Sequence, residues 1–492
     1  MDLAKMQSGV ANRQHLVRSA GWSRYRIGTG RISPELVRHP DADRLSDHRS
    51  DLQGSDFELT GSGCISRSAL DVLDCLACAL RMLFGLCKRR AAVPAPNILM
   101  PALVLSSCMV PCIAVSNTAN EPSAASGTPR RILHVGPGRL LISVAAAAAI
   151  VRDGDTIEID AGEYRGDVAV WSHERLVIRA VGGRARLVAA GASAENKAIW
   201  VVRSKHLVVE NIDFIGARVS DRNGAGIRFE RGHMVVRNCA FLDNENGILT
   251  GNDAQTELDI EGSEFGGNGH GDGYSHNLYV GTIARLMVTS SHFHHARVGH
   301  LLKSRAAESR ILFNRLTDEI GGTASYELEF PSGGVAHVFG NIIQQGELTS
   351  NPAMVSFGAE GYHWPRNELH LINNTLIDKR PRGGVFLAVN PGRRQLVAVN
   401  NLLLGAGSLE VAGEGEYRNN FRARADDFVD PDRFDYRLRA SSRLFGRAER
   451  LSQVQSERHL PVREYLHPLR TQTVKSASGL QPGAMQSTGP GP

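Results

Sequence analysis

Through the body of the chain, apolar and polar residues alternate in short runs that restart at a regular spacing. Val208-Val-Glu-Asn-Ile-Asp-Phe214 is echoed by Val235-Val-Arg-Asn-Cys-Ala-Phe241 and by Leu258-Asp-Ile-Glu-Gly-Ser-Glu-Phe265. The same run returns as Met287-Val-Thr-Ser-Ser-His-Phe293, Ile311-Leu-Phe-Asn-Arg-Leu316 and His337-Val-Phe-Gly-Asn-Ile-Ile343. It returns again as His370-Leu-Ile-Asn-Asn-Thr-Leu376 and Leu396-Val-Ala-Val-Asn-Asn-Leu-Leu403. The apolar anchor recurs at intervals of 27, 24, 28, 23, 27, 33 and 27 residues. Each unit reads as an alternating strand, a turn bearing Asn or Ser, and a second apolar strand. Units of this size cannot bury an apolar face alone, and stacking makes one continuous core. The pattern therefore predicts an all-β solenoid with equivalent strands about 4.8 Å apart in parallel register.

Details of the turns and ends extend this prediction. Asn211, Asn238, Asn314, Asn341, Asn374 and Asn401 are expected to align as a column whose amides bond from rung to rung, satisfying polar groups the turn buries. Cys239 falls on the inward side, as a small core residue. Arg139–Val151, with its run of alanines, is expected to form a short helix covering the first rung's exposed edge. Phe434–Arg439 and Leu444 are expected to close the last rung.

The Val135-Gly-Pro-Gly opening, the Gly154-Asp-Thr-Ile-Glu-Ile run with Gly162-Glu-Tyr164, and the Asn-x-x-Phe rungs resemble the right-handed parallel β-helix (pectate-lyase-like) superfamily over roughly residues 132–447. The resemblance implies that fold. It does not imply one reaction, because the fold carries lyases, hydrolases, esterases, epimerases and non-catalytic binders.

Composition narrows the setting. The 492 residues are 42% hydrophobic, 22% charged and 6% aromatic, with 51 glycines, which suits a turn-rich β protein rather than a helical bundle. Of the net charge of +5, a surplus of 4 lies in residues 1–90 and 1 in the rest. A near-neutral body argues against a nucleic-acid-binding protein, whose basic face should dominate its charge. Six of the seven cysteines precede residue 113, so the body has no disulfide framework.

Residues 1–81 show no periodicity and read as a disordered leader or as sequence upstream of a true start near Met82. In 82–119 a basic stretch to Arg90, an apolar run from Ile98 to Val115 and a small polar exit have the shape of a secretory signal. Leu105-Ser106-Ser107-Cys108 also fits a lipoprotein cleavage box. Pro101 and Pro111 interrupt the run, which argues against a stable membrane span. A linker at 120–131, the β-helix at 132–450 and a disordered tail at 451–492 complete the expected organisation. The expectation is an exported, periplasmic or extracellular monomer.

Stacked rungs present a long shallow groove suited to a linear polymer. Three neighbouring rungs are unusually polar there: Ser275-His276-Asn277-Leu-Tyr279-Val280, Gly299-His300-Leu-Leu-Lys303-Ser-Arg305 and Ser325-Tyr326-Glu327-Leu-Glu329-Phe330. Period-two alternation puts Leu278, Val280, Tyr326, Leu328 and Phe330 inward, with Asn277, Tyr279, Glu327 and Glu329 outward. Lys303–Glu327 and Arg305–Glu329 then read either as surface ladder pairs worth under about 1 kcal/mol each or as parts of a sugar site. β-Elimination on an acidic polysaccharide needs a base, a proton donor and a neutraliser of the uronate carboxylate. Lys303, Arg305, His300 and Tyr279 supply those types. Asn277, His276, Tyr362, His363 and Trp364 are candidate substrate contacts.

Leu302-Lys303-Ser304, Asn314, Gly333 and Asn341 are also similar in order to the chondroitinase-B and alginate-lyase family (polysaccharide lyase family six). That resemblance implies Lys303 as the base. The chain departs from the family where an arginine should follow, having Glu327 and Glu329, and where two calcium-binding glutamates should precede, having Ala296-Arg-Val-Gly-His300. Calcium held by Asn277, Glu327 and Glu329 is an alternative consistent with that ion's preference for oxygen.

Weaker signals remain. Gly269-His270-Gly271 matches a polygalacturonase tripeptide without its surrounding aspartates. Glu327 and Glu329, about 6.6–7 Å apart on one strand face, offer a glycosidase pair. His292, His294 and His295 could ligate a transition metal, but they stand at a turn with no carboxylate beside them in sequence, so solvated histidines are the simpler reading. The leading expectation is an acidic-exopolysaccharide lyase. The alternatives are a non-catalytic polysaccharide-binding β-helix of the envelope, and a glycoside hydrolase using Glu327 and Glu329.

Overall fold

The computed structural model describes residues 131–409, 413–451, 463–474 and 480–487. The expectations for 1–130, including the signal-like segment and six cysteines, fall outside them. Among the described residues no helix is long and apolar enough to cross a membrane.

The repeat winds into an all-β parallel solenoid of about ten turns. A typical turn has three strands, one on each face. On the first face, His206–Glu210 is followed by His233–Arg237, Glu257–Glu261, Arg285–Thr289 and Glu308–Leu312. On the second face, Ile212–Ile215 is followed by Ala240–Leu242, Glu264–Gly266, His292–His294 and Arg315–Thr317. Both faces join one 21-stranded ladder through the long strands Thr156–Arg165 and Arg175–Val188. The third face is a separate nine-stranded parallel sheet that runs from Ala169–Trp171 to Val385–Val389 and includes Leu278–Val280, Leu302–Ser304 and Leu328–Phe330.

Burial follows the period of two. Leu207 and Val209 point inward while their neighbours are half-buried. The core column Phe214, Phe241, Phe265 and Phe293 stacks ring on ring, with centroids 5.1, 4.7 and 4.6 Å apart. Between the first and second faces the chain turns through one residue of positive φ per coil, including Asn211, Asn238, Asn373 and Asn400. Asparagine tolerates this left-handed conformation better than most residues.

That turn corrects the expected asparagine column. Asn314, Asn341, Asn374 and Asn401 do align, and Asn420 extends them. The amides bond in sequence at 3.0, 3.0, 3.1 and 2.7 Å. Each Oδ1 also accepts the backbone N–H of the preceding rung's asparagine, as from Asn314 N to Asn341 at 2.9 Å. Ser291, Ser263 and Cys239 carry the column onward. Asn211 and Asn238 instead occupy the positive-φ position one residue earlier, where they bond to each other at 2.7 Å. The pair Asn373-Asn374 shows both roles side by side. Cys239 is fully buried as expected, and burial pushes its thiol up to about 12.

The ends differ from expectation in detail. The helix is Val144–Ile150, capped by Ser143 and with Asp167 accepting from the N–H groups of Val144 and Ala145 at 2.6 and 2.8 Å. It packs on Ile132–Val135 and Ala169–Trp171, burying Val144 and Ala147. At the other end Glu416–Arg418 and Phe421–Ala423 form the last rung. Asp435–Leu438 does not close it. That strand pairs antiparallel with Phe428–Asp430, and Tyr436 packs against Ile342, Ile377 and Leu402 on the outside of the second face. The tail is not wholly unstructured either. Arg463–Leu466 and Arg470–Thr473 form a hairpin that buries Tyr465 in the same cluster, and Ala484 N donates to Thr375 Oγ1 at 3.0 Å. Outward apolar residues on the second face need this cover, and the Ser/Gln/Gly composition of the tail concealed it.

Candidate functional site

Parallel register on the third face aligns Tyr279, Lys303 and Glu329 on adjacent rungs. Their inward neighbours Leu278, Leu302 and Leu328 are fully buried, so the three polar side chains share the outer surface. Glu329 Oε2 lies 3.1 Å from Lys303 Nζ and 3.2 Å from His300 Nε2. Arg305 Nη1 donates to the Tyr279 hydroxyl at 2.5 Å, with its guanidinium 5.1 Å from that ring's centroid.

A further carboxylate completes the group. Glu360, from a loop some 55 residues onward, takes two prongs of Arg305, Nε at 2.9 Å and Nη2 at 2.6 and 2.7 Å. Its Oε1 is also 3.3 Å from Lys303 Nζ. The loop is clamped from below, because Trp364 Nε1 donates to the Arg305 carbonyl at 3.0 Å. Sequence reasoning gave Glu360 no role. Only the folding of its loop over Lys303 and Arg305 reveals one.

The histidines beneath are ordered by backbone donors. His276 Nδ1 accepts from His300 N at 2.9 Å, and His300 Nδ1 accepts from Tyr326 N at 3.2 Å. In each neutral ring the proton therefore sits on Nε2, and that of His300 faces Glu329. The rings stack at 4.4 Å. Gly299 makes this possible, since a Cβ there would lie 1.8 Å from the Ser275 carbonyl oxygen. Burial, with the charges of Lys303 and Arg305, holds both imidazoles below their ordinary value, His276 furthest because Glu329 offsets part of the effect at His300 alone. Burial opposes ionisation of Glu329 and Glu360, but their basic partners outweigh it and hold both carboxyls below the usual range. The face thus carries two carboxylates against two cationic side chains.

Several expected placements change. Glu327 does not share a face with Glu329. The three-residue strand begins at Leu328, the chain bends before it, and the alternation does not extend backwards. Glu327 is fully buried, Tyr326 half-buried, and Lys303 and Arg305 take Glu329 and Glu360 as partners instead. Neither Glu327 oxygen meets a donor from another residue. Burial, followed by the nearby charges of Asp318 and Asp378, pushes its carboxyl well above the ordinary value. The glycosidase pair therefore has no common surface.

Asn277 is buried too, in a second amide ladder. Its Oδ1 accepts from Asn268 at 2.8 Å and its Nδ2 donates to the His294 carbonyl at 2.9 Å. Asn277, Glu327 and Glu329 do not converge, so the expected calcium set does not fit this site. Of the aromatic loop, Tyr362 leans on Phe357 and donates to the Asn390 carbonyl at 2.5 Å, leaving His363 as its exposed member.

The six histidines between residues 270 and 300 fall into separate groups. His276 and His300 serve the third face, whereas His292, His294 and His295 belong to the second. There the structure supplies the carboxylates that the local sequence lacks. His294 Nε2 is 3.1 Å from Glu264 Oε1 on the preceding rung, and His292 Nε2 is 3.1 Å from Glu319 Oε1. His270 pairs with Glu245 at 3.3 Å, apart from both groups.

No family profile and no curated protein matches the chain. Among solved structures, the crystal structure of pectate lyase Pel9A matches with a TM-score of 0.50 and 14% identity, over 73% of this chain and 97% of that one. The likeness establishes the right-handed parallel β-helix fold.

Proposed function

We propose that the third face binds an acidic polysaccharide and cleaves it by β-elimination. The observation that carries this reading is the Glu360 clasp. The chain's own carboxylate occupies two prongs of Arg305 beside Lys303 and Tyr279, in the way a uronate carboxylate would. Paired Arg–carboxylate contacts favour a planar anion. A polymer carboxylate displacing Glu360 gains the same donors and frees Lys303 from one of its two anionic neighbours.

In this reading Arg305 neutralises the uronate carboxylate, which acidifies the C5 proton. Lys303, its ammonium having first given up a proton to water, removes the C5 proton with the neutral amine. The C5–H electrons form the C4–C5 double bond, the C4–O4 bond breaks, and O4 takes a proton from Tyr279. The Tyr279 oxygen already accepts from Arg305, so its own O–H is available to a ligand. Glu329 and the Nε2–H of His300 fix the position of Lys303. His276 stacks behind them, and His363 lies at the exposed rim. Calcium enters no step. The basic, apolar and small-residue sequence of 82–119 supports action outside the cytoplasm.

Incubation with a panel of uronate-containing polymers tests the proposal. The expected product carries an unsaturated terminal sugar, seen as new ultraviolet absorbance and a mass equal to the intact residues, and Lys303→Ala slows its formation by about 10²–10⁴-fold. Products heavier by one water would indicate hydrolysis and overturn the elimination.

A second reading, a non-catalytic binder, rests on the internal pairing of every charge in the group. Polymer binding without any chain cleavage would favour it.

A further inference from the structure

We propose that Glu264, His292 and His294 on the outer surface of the second face form a binding site for a divalent transition-metal ion, zinc by its preference for mixed nitrogen and oxygen ligands. Among the described residues these three bring one ligand atom each to within 4.8 Å of one another. Ligand atoms around zinc sit about 3.3 Å apart for bonds of about 2 Å, so the set has to contract by at most about 1.5 Å to hold the ion.

The hydrogen bonds around the cluster leave one position unfilled. His295 Nε2 is 3.3 Å from the Ile320 carbonyl oxygen, which can only accept, so the proton of the neutral His295 ring lies on Nε2. Its Nδ1 then carries a lone pair, which faces His294 Nδ1 at 2.8 Å. His294 must donate there, and this leaves its own Nε2 with a lone pair directed at Glu264 Oε1, 3.1 Å away. A nitrogen lone pair and a carboxylate oxygen at that separation repel unless a cation lies between them, either a proton or a metal ion.

The surroundings suit the metal. His292 and His294 are two residues apart on one strand and point the same way, with ring centroids 4.5 Å apart. Glu319 accepts from His292 Nε2 and leaves that ring's Nδ1 with a lone pair. It is the kind of carboxylate partner that orients metal-ligating imidazoles. Arg315 pairs with Glu319 at 2.5 Å, so the cation adjoining the cluster is already matched. His294 lies over Gly266, where a Cβ would come 2.3 Å from the ring's Cε1, so no larger residue leaves this ring in place. The cluster lines a cleft of about 280 Å³ closed on one side by His467, Pro468 and Leu469 of the C-terminal hairpin. A bound ion would keep an open coordination position toward that cleft and reinforce the docking of the hairpin.

Zinc titration of the untagged full chain by calorimetry, with metal content measured after dialysis, tests the site. The expected result is one zinc per chain, with affinity at least about tenfold weaker in Glu264→Gln and His294→Ala and unchanged in His270→Ala. The near-isosteric Glu264→Gln, checked by circular dichroism without metal, separates a lost ligand from a lost fold. Zinc at a hundredfold excess over Kd is expected to raise Tm by on the order of 5 °C in the parent chain and not in His294→Ala. Absence of stoichiometric zinc in the parent, or equal binding by His294→Ala, would overturn the assignment and leave a proton between His294 and Glu264.

Discussion

Glu327 and Glu329 stand two residues apart, yet one points into the coil and the other outward, buried against Lys303 and His300. Glu329 has Lys303 and His300 within 3.2 Å, whereas Glu327 is enclosed near Asp318 and Asp378 with no donor from another residue. Their titrations run in opposite senses. The Glu329 carboxyl lies below its unfolded value, so its contribution to stability is present above that value and is lost as pH falls through the folded one. The Glu327 carboxyl lies above its unfolded value, so its contribution is complete in acid and is lost as pH rises. Asp318, which burial pushes up to about 6, adds to the second trend. The interior therefore bears an electrostatic load that the surface group avoids by pairing.

The largest effect that would break this comparison is catalytic. Lys303→Ala is expected to lower turnover of an acidic polymer by about 10²–10⁴-fold with the melting transition kept. An unchanged rate would reduce the surface group to a paired ornament of the fold.

Within the interior, Asn341→Ala removes a buried amide that bonds both neighbouring rungs. It is expected to cost about 2–3 kcal/mol, read as a lower denaturant midpoint at constant slope. A negligible shift would mean that the ladder adds little to the coil.

Glu327→Gln sharpens the contrast further. The variant is expected to be more stable than the parent at neutral pH, with the gain shrinking by up to about 1.4 kcal/mol per pH unit and vanishing near pH ~4. Glu329→Gln should show the reverse, a loss at neutral pH that fades in acid. Parallel pH profiles for the two variants would contradict the assignment of sides.

The smallest expected effect belongs to the clasp. Glu360→Gln weakens a half-exposed competitor for Arg305 and should lower KM by up to about fivefold with kcat unchanged. A higher KM would mean that Glu360 helps to bind the polymer instead of yielding to it.

The coil itself was legible in the sequence because its restart intervals are those of the observed register, from Val208 paired with Val235 through His370 paired with Val397. Tyr279, Lys303 and Glu329 were placed outward correctly, since each lies within a strand whose apolar neighbours define the phase. Glu327 and Asn277 were misplaced because strands of three residues end at corners where the alternation resets. Asn211 and Asn238 were off by one for a related reason, because a turn that uses two consecutive asparagine-tolerant positions hides which of them points inward. The partners of long loops, Glu360 over Arg305 and the hairpin over the second face, depend on tertiary folding and leave no local signal.

The most direct measurement is a crystal structure of Lys303→Ala with a bound oligouronate. The expected structure has a sugar carboxylate held by both prongs of Arg305, Glu360 swung away from it, and C5 of that sugar facing the space left by the lysine amine. An oligosaccharide lying on another face, with Glu360 still closed on Arg305, would contradict it.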